Sequence, residues 1–152
     1  EEAGVFISIP ESAESNRAMD ILESGDATGR MERAEAVIYA DLDWTMEAVM
    51  NLFKNCMEHS PRGGTVYCSY EQNLLYTKIL IWDTGYGFQK EDIPHLFERF
   101  YRGTNNKNGG IGIGLALSKE IIECQNGTIT AYNLADGGAC YEIHFYKTAE
   151  KM

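Results

Sequence analysis

The chain has 152 residues, 44% of them hydrophobic and 24% charged, which is typical of one globular domain with a sizeable core. Its net charge of -10 disfavours nucleic acid and anionic lipid as main partners, and any anionic ligand would need a local positive site. Four cysteines without a CxxC pair indicate reduced thiols rather than a zinc centre, and no apolar run reaches the roughly 18 residues of a membrane span.

Two short strand patterns flank a polar segment in the first forty residues. Residues 5–9 are apolar and stop at Pro10, and residues 36–40 (AVIYA) predict a second strand. We interpret residues 11–36 as an insertion or a disordered segment, without a functional account. Because the chain opens with Glu-Glu-Ala-Gly rather than Met, we expect it to be part of a longer protein.

A long amphipathic helix is predicted over residues 44–59, and residues 60–64 (SPRGG) end it. Asp43 stands directly before this pattern and is the predicted N-cap. The apolar stripe of the helix is formed by Val49, Leu52, Phe53 and Cys56.

Strands, turns and helices alternate in the rest of the chain. One hairpin is predicted from strands at 65–70 and 74–82 and another from strands at 128–133 and 139–147, with turns around 71–73 and 136–138. The predicted helices lie at 91–100 and 113–124, and the second is closed by Asn126 and Gly127.

Two asparagines on the long helix form the first candidate site. Asn51 and Asn55 are four residues apart, so their side chains lie on one face of a helix. A neutral amide oxygen suits Mg²⁺ beside nucleotide phosphates, because this ion keeps several waters and takes few protein ligands. The same spacing also suits two solvated polar residues, and taken alone the motif favours that interpretation.

A glycine-rich turn, residues 83–87 (DTGYG), directly follows the apolar run ILIW. A carboxylate such as Asp83 at the end of a buried strand needs a hydrogen-bond donor, and the amino group of adenine is one. Gly85 and Gly87 would let the backbone turn sharply and approach a flat ligand closely. An ordinary strand-ending turn would give the same pattern.

Residues 109–115 (GGIGIGL) run directly into the helix at 113–124. Exposed backbone N–H groups and the helix dipole favour a phosphate there without any basic residue, which is compatible with the acidic chain. The spacing fits neither the dinucleotide-binding fingerprint nor a P-loop, because it has no G-x-G-x-x-G register and no Gly-Lys-Ser/Thr.

The order of these motifs resembles the catalytic and ATP-binding domain of sensor histidine kinases, in the GHKL superfamily. The resemblance covers roughly residues 37–147. The similar motifs, in order, are the N box at 51–55, the G1 box at 83–87, the F box at 97–100 (FERF), the G2 box at 110–115 and a weaker glycine motif at 136–138.

This resemblance implies a single domain over residues 1–152 with an α/β sandwich of the Bergerat type. A mixed sheet of about five strands would be covered on one face by three helices, with ATP held beneath a flexible lid at 101–110. Asn51 and Asn55 would be catalytic, and Asn55 would coordinate Mg²⁺. The residues implied at ATP are Asn51, Asn55, His59, Asp83, Gly85, Gly87, Phe97, Phe100, Arg102, Lys107, Gly110, Gly112, Gly114 and Leu115.

Several of these residues have a second interpretation. Phe97 and Phe100 would anchor the base of the lid and are also expected as core aromatics. His59 lies where the family has a Tyr or His near the nucleotide, but a histidine is equally expected where the dipole of a helix end stabilises it.

Glu58 departs from the family, which commonly has Lys or Arg at this position. A carboxylate there would repel the phosphates by about 1 kcal/mol or more if screening is incomplete. Arg99, Arg102 or Lys107 would compensate from the side of the lid, or the affinity for nucleotide would be low.

Position 51 separates kinase from hydrolase. Related hydrolases and serine kinases resemble one another in a Glu there that acts as general base, whereas Asn51 cannot take a proton. Glu47 lies one turn back, about 6 Å further by helix rise, which is too far. An ATP hydrolase would instead depend on Glu47.

We therefore predict phosphoryl transfer from Mg·ATP to a histidine on a separate dimerisation domain, which nothing in this chain resembles, with a response regulator as the later acceptor. The alternative is a regulatory or interaction module that binds nucleotide without transfer. This domain is expected to be cytoplasmic without membrane contact, in a full-length protein that the resemblance places at a membrane.

Overall fold

The computed structural model describes residues 38–103 and 113–148, together with the backbone of a strand at Phe6–Ser8. The segment at 11–36 and the glycines at 109–112 lie outside the described residues. The strands are β1 (Phe6–Ser8), β2 (Thr65–Gln72), β3 (Tyr76–Asp83), β4 (Gly127–Asn133) and β5 (Ala139–Tyr146). The helices are α1 (Leu42–His59) and α2 (Gly114–Cys124), with a 3₁₀ turn at Ile93–His95.

The five strands form one sheet in the order β1-β2-β3-β5-β4. Strand β1 runs parallel to β2, and every other neighbouring pair is antiparallel. The predicted mixed sheet of about five strands is therefore confirmed. The register places Ile81 of the central strand β3 between Cys68 of β2 and Tyr141 of β5.

The helices cover one face of this sheet and share a single core with it. Alternate residues along each strand point to the same face, so the apolar ones meet the stripes of α1 and α2 there. The buried members of the core are Ala48, Leu52, Cys56, Val66, Ile81, Ile121, Ile122, Ile129, Tyr141, Ile143 and Phe145. Val49 and Phe53 of the predicted stripe are half-buried against it. The Ser118 hydroxyl donates to the Ala48 carbonyl at 3.0 Å and joins the two helices.

Helix α1 begins two residues earlier than the periodicity predicted. The cap is Asp41, whose Oδ1 accepts from the Trp44 amide at 2.9 Å, and Asp43 lies inside the first turn. The prediction of Asp43 as the cap was therefore wrong. A carboxylate three residues before an unpaired amide satisfies it, and Asp41 has that spacing to the third residue of the helix.

Asp41→Ala should lower the free energy of unfolding by about 1 kcal/mol, because the Trp44 amide loses its acceptor. Thermal unfolding followed by circular dichroism measures this change. Asp43→Ala removes the same group from the exposed first turn and should cost less than about half as much. Equal destabilisation by both variants would contradict the assignment of the cap.

Two further predicted elements need correction. Residues 38–40, the described part of the predicted strand at 36–40, are not in a strand, because the described edge of the sheet beside β2 is taken by β1. The helix predicted at 91–100 is the 3₁₀ turn Ile93–His95 with further turns around it. Pro94 has no N–H, and the bonds here close three residues apart, from His95 to Asp92 and from Glu98 to His95. The described helical layer thus has two α-helices and a 3₁₀ turn instead of three helices.

No helix within the described part of the chain is long and apolar enough to cross a membrane.

Candidate nucleotide-binding site

The two asparagines of the N-box motif lie beside the first turn of α2. Asn51 and Asn55 are half-buried on α1, and a Cβ built on Gly114 would lie 3.8 Å from Cγ of Asn51. Helix α2 follows Ile113, and no described side chain caps its first turn. The free N–H groups of this turn carry the positive end of the helix dipole, so a phosphate at this place would be stabilised. The structure therefore brings the first motif beside the described end of the third, the start of α2.

The amide of Asn55 is held by the sheet beneath it. Its Oδ1 accepts a hydrogen bond of 2.5 Å from the hydroxyl of Tyr141, a core residue of β5. The next residue along α1, Cys56, lies close enough to the carboxylate of Asp83 for that charge to raise the pKa of its thiol. Asp83 therefore lies beside the residue that follows Asn55 on α1.

Asp83 ends β3 as a buried carboxylate with 2% of its surface exposed. Its Oδ1 accepts from the backbone amides of Gly85 at 2.9 Å and Ala139 at 3.1 Å. The donors that we expected from a ligand are thus partly supplied by the protein itself. A carboxylate has about four lone-pair positions, so the Asp83 group retains the capacity to accept from a ligand as well.

The thiol of Cys56 lies against this carboxylate. Burial raises the pKa of Cys56, and the nearby charge of Asp83 raises it further. The thiol therefore stays protonated and is a poor nucleophile.

The two glycines of the G1 motif lie so close to other parts of the protein that a side chain at either position would meet neighbouring atoms. A Cβ on Gly85 would lie 3.0 Å from the carbonyl oxygen of His59, at the end of α1. Gly87 has φ +79°, and a Cβ there would lie 2.5 Å from Oδ1 of Asn133. Only glycine fits at Gly87, because the backbone is left-handed and the Asn133 amide occupies the space of a side chain.

Asn133 clamps the segment that follows the G1 motif. Its Oδ1 accepts from the Phe88 amide at 2.7 Å, and its Nδ2 donates to the Phe88 carbonyl at 2.9 Å. We did not single out Asn133 from the sequence. The one signal was its position three residues before the glycine motif at 136–138, which shares the same β4–β5 turn.

The two aromatic residues of the F-box motif differ in environment. Phe97 packs on the core, with its ring centroid 6.5 Å from that of Tyr141 and the Lys119 ammonium 5.5 Å from its centroid. Phe100 is 67% exposed and has φ +65°, so the expectation of a core aromatic is correct for Phe97 and wrong for Phe100. A left-handed, exposed aromatic marks a change of chain direction and not an anchor in the core.

The segment after Phe100 is tied back to the 3₁₀ turn. The Tyr101 hydroxyl donates to Oδ1 of the buried Asp92 at 2.6 Å, and this bond raises the pKa of Tyr101. A Cβ on Gly103 would lie 2.7 Å from the other oxygen of Asp92. The predicted lid thus starts from a fixed point.

Glu58 has a partner that we did not foresee. Nζ of Lys54, one helical turn earlier, lies 3.9 Å from its carboxylate, in an exposed pair. Arg99, proposed as a compensating group, pairs with Glu120 of α2 at 2.9 Å. Exposed pairs contribute little to stability, but Lys54 offsets part of the charge of Glu58.

The remaining predicted residues differ in burial. Arg102 is exposed, and Leu115 is half-buried against the core. His59 is exposed in the last turn of α1, and its carbonyl oxygen lies close to Gly85 of the G1 turn. Lys107, Gly110 and Gly112 lie outside the described residues.

The family of histidine kinase-, DNA gyrase B- and HSP90-like ATPases matches residues 40–149. Sensor histidine kinase YvrG of Bacillus subtilis is 36% identical over 109 residues, which cover 70% of this chain and 19% of that protein. BaeS of Escherichia coli, a signal transduction histidine-protein kinase, is 33% identical over 109 residues, 70% of this chain and 23% of that protein. The chain therefore spans about a fifth of the length of these curated relatives.

Solved structures agree with this assignment. The mycobacterial sensor histidine kinase MprB superposes with a TM-score of 0.67 at 26% identity, over 72% of this chain and 76% of that one. The catalytic domain of histidine kinase ThkA gives 0.65 at 25% identity, over 76% and 74%. The chain thus belongs to the family of histidine kinase-, DNA gyrase B- and HSP90-like ATPases. Within it, the chain is an ATP-binding catalytic domain of the sensor histidine kinase type.

Proposed function

We propose that this domain binds Mg·ATP and transfers its γ-phosphoryl group to a histidine on a separate domain of the same protein. A response regulator would then receive the group. The observation that carries the proposal is the proximity of motif residues along α1: Asn51 lies beside the first turn of α2, and Cys56, next to Asn55, lies beside the buried Asp83.

Each part of this arrangement has a distinct task. Asp83 would accept from the adenine amino group, because its carboxylate is fixed by two backbone amides and has lone pairs left. The first turn of α2, beginning at Gly114, would receive the phosphates at its positive end. Asn51 lies between the helices and would contact the phosphate side of the nucleotide.

The donors at the site fit Mg²⁺. Asn55 offers a neutral, half-buried amide oxygen, a ligand that this ion accepts when phosphates and water complete its coordination. Bound there, the ion would neutralise charge on the transferred phosphoryl group. Asn55 would hold it, and α2 would position the phosphates.

A histidine acceptor is compatible with a site that has no general base at position 51. A neutral imidazole is nucleophilic without a base, and position 51 is an amide and not a carboxylate. Within the chain, His95 bonds Glu98 at 2.8 Å and His144 packs against the rings of Tyr76 and Tyr146. These contacts support an acceptor on another domain.

The direct test supplies a histidine-bearing helical hairpin to the purified chain with γ-labelled ATP. We expect label on the hairpin in an acid-labile, alkali-stable linkage, and a loss of at least about tenfold in Asn55→Ala. Nucleotide binding without any transfer would favour a regulatory or interaction module instead.

Glu47→Gln should leave both nucleotide binding and phosphotransfer within about twofold of the unmodified chain. Glu47 is exposed and lies one turn before Asn51, so its carboxylate is too distant to act as a base. Exposed Glu91→Gln is the matched control. Steady ATP hydrolysis by the isolated chain that disappears only in Glu47→Gln would contradict the kinase assignment and favour a hydrolase.

A further inference from the structure

Tyr141 is a polar residue at the centre of the apolar core. It lies in β5 between β3 and β4, and none of its surface is exposed. Phe88 and Phe97 pack edge-on against its ring, with centroids 5.5 Å and 6.5 Å away. These contacts hold the ring in one orientation, so the position of its hydroxyl is determined by the core.

The hydroxyl of Tyr141 crosses from the sheet to the candidate metal ligand. It donates to Oδ1 of Asn55 at 2.5 Å. Burial raises the pKa of Tyr141, and the neighbouring Cys56 and Asp83 act in the same direction. Because an amide oxygen can only accept, the hydroxyl of Tyr141 is the donor in this bond.

We propose that Tyr141 is a positioning residue. It holds the side-chain amide of Asn55 in the orientation that presents its oxygen, and not its NH₂ group, to Mg²⁺. This inference rests on the proposed function. An amide on a half-exposed helix face can otherwise rotate or flip, and an NH₂ group facing a cation is repelled. A flip would also leave the buried phenol proton without its acceptor, which is costly.

The oxygen of Asn55 can serve both partners. An amide oxygen has two lone pairs, so one can accept from Tyr141 while the other remains for the ion. Restricting the Asn55 side chain from several rotamers and two amide flip orientations to one arrangement corresponds to about a tenfold gain in affinity for Mg²⁺. This gain is within the range of losses seen when the hydrogen-bond partners of metal ligands are removed.

Tyr141→Phe tests this role, because it removes the hydroxyl and keeps the ring in an apolar environment. Binding of a non-hydrolysable ATP analogue is measured by calorimetry, once with Mg²⁺ and once with a chelator. We expect affinity without Mg²⁺ to stay within about twofold, and the gain in affinity from Mg²⁺ to fall about tenfold. Tyr132→Phe is the matched control, because the Tyr132 hydroxyl donates to Glu142 at 2.9 Å and not to Asn55. This variant should leave both affinities unchanged.

A double-mutant cycle shows whether Tyr141 acts through Asn55. In an Asn55→Ala background, Tyr141→Phe should cause no further loss of the Mg²⁺-dependent gain. Tyr141→Met, which also lacks a hydroxyl, should reproduce the Tyr141→Phe result and guards against a folding defect of one variant. Circular dichroism melting confirms that each variant is folded.

Three results for Tyr141→Phe would overturn this inference without affecting the proposed function. The first is an equal loss of affinity for the analogue with and without Mg²⁺, which indicates a structural role. The others are an unchanged Mg²⁺-dependent gain in affinity and an increased gain, which indicates that the hydroxyl competes with the ion. If the unmodified chain binds no analogue at all, the proposed function fails together with this inference.

Discussion

Asp83→Asn should weaken binding of a non-hydrolysable ATP analogue about 100-fold, or roughly 3 kcal/mol. An asparagine Oδ1 can keep both backbone bonds, from Gly85 and Ala139, so the turn is preserved. The NH₂ group, however, replaces the second carboxylate oxygen and presents donors to the adenine amino group, which is itself a donor. The loss is therefore specific to the base pocket, and calorimetry measures it directly.

Asp43→Asn is the control for charge. It removes one negative charge from the exposed first turn of α1, away from the site, and should leave affinity unchanged. Binding by Asp83→Asn within about twofold of the unmodified chain would show that Asp83 is only a strand-ending turn residue, the interpretation that the sequence left open.

Gly138→Ala should lower the free energy of unfolding by roughly 4 kcal/mol, through backbone strain and a clash that no rotamer can relieve. Gly138 has φ +102°, and a Cβ there would lie 2.0 Å from the carbonyl oxygen of Asp83. Because the β4–β5 turn would have to move away from Asp83, nucleotide binding should fall as well. Thermal or urea unfolding gives the first quantity and calorimetry the second.

Gly137→Ala separates the two causes. Gly137 also has a left-handed backbone, with φ +95°, but its Cβ would meet nothing closer than the Gly85 carbonyl at 3.9 Å. Gly137→Ala should lower the free energy of unfolding by only about 1 kcal/mol, because it introduces backbone strain without a clash. If the two alanine variants are equally stable, the close approach of Gly138 to Asp83 is not maintained in solution.

The structure shows which cation lies near Glu58, the acidic residue expected to weaken nucleotide binding. Of the three compensating cations expected for Glu58, Arg99 pairs with Glu120, Arg102 is exposed and Lys107 lies outside the described residues. Lys54 is the cation that the described residues place beside Glu58. Lys54 lies four residues before Glu58, and this spacing on one helix already predicts the pair.

The fold was predictable where local patterns decide it. Alternation along β3 and β5 and the stripe of α1 predicted these elements, the resemblance to sensor kinases implied a mixed sheet with helices on one face, and both are present. Over its described residues 38–40, the predicted strand at 36–40 was wrong, and so was the helix at 91–100, because both depend on neighbouring elements. A strand needs a free sheet edge, and the segment around Pro94 lacks a donor and ties its backbone in short turns.

The sequence by itself determined the class of the domain, because its motifs are local. The Asn51–Asn55 spacing, the turn after β3 and the glycines before α2 each depend on a few adjacent residues. Only the tertiary structure decided how these motifs are held: Tyr141 on Asn55, the Ala139 amide on Asp83, and Asn133 on the segment after Gly87. Each of these contacts joins residues that are distant along the chain, and hydrogen bonds at about 3 Å depend on sheet register and helix placement, which no local pattern encodes.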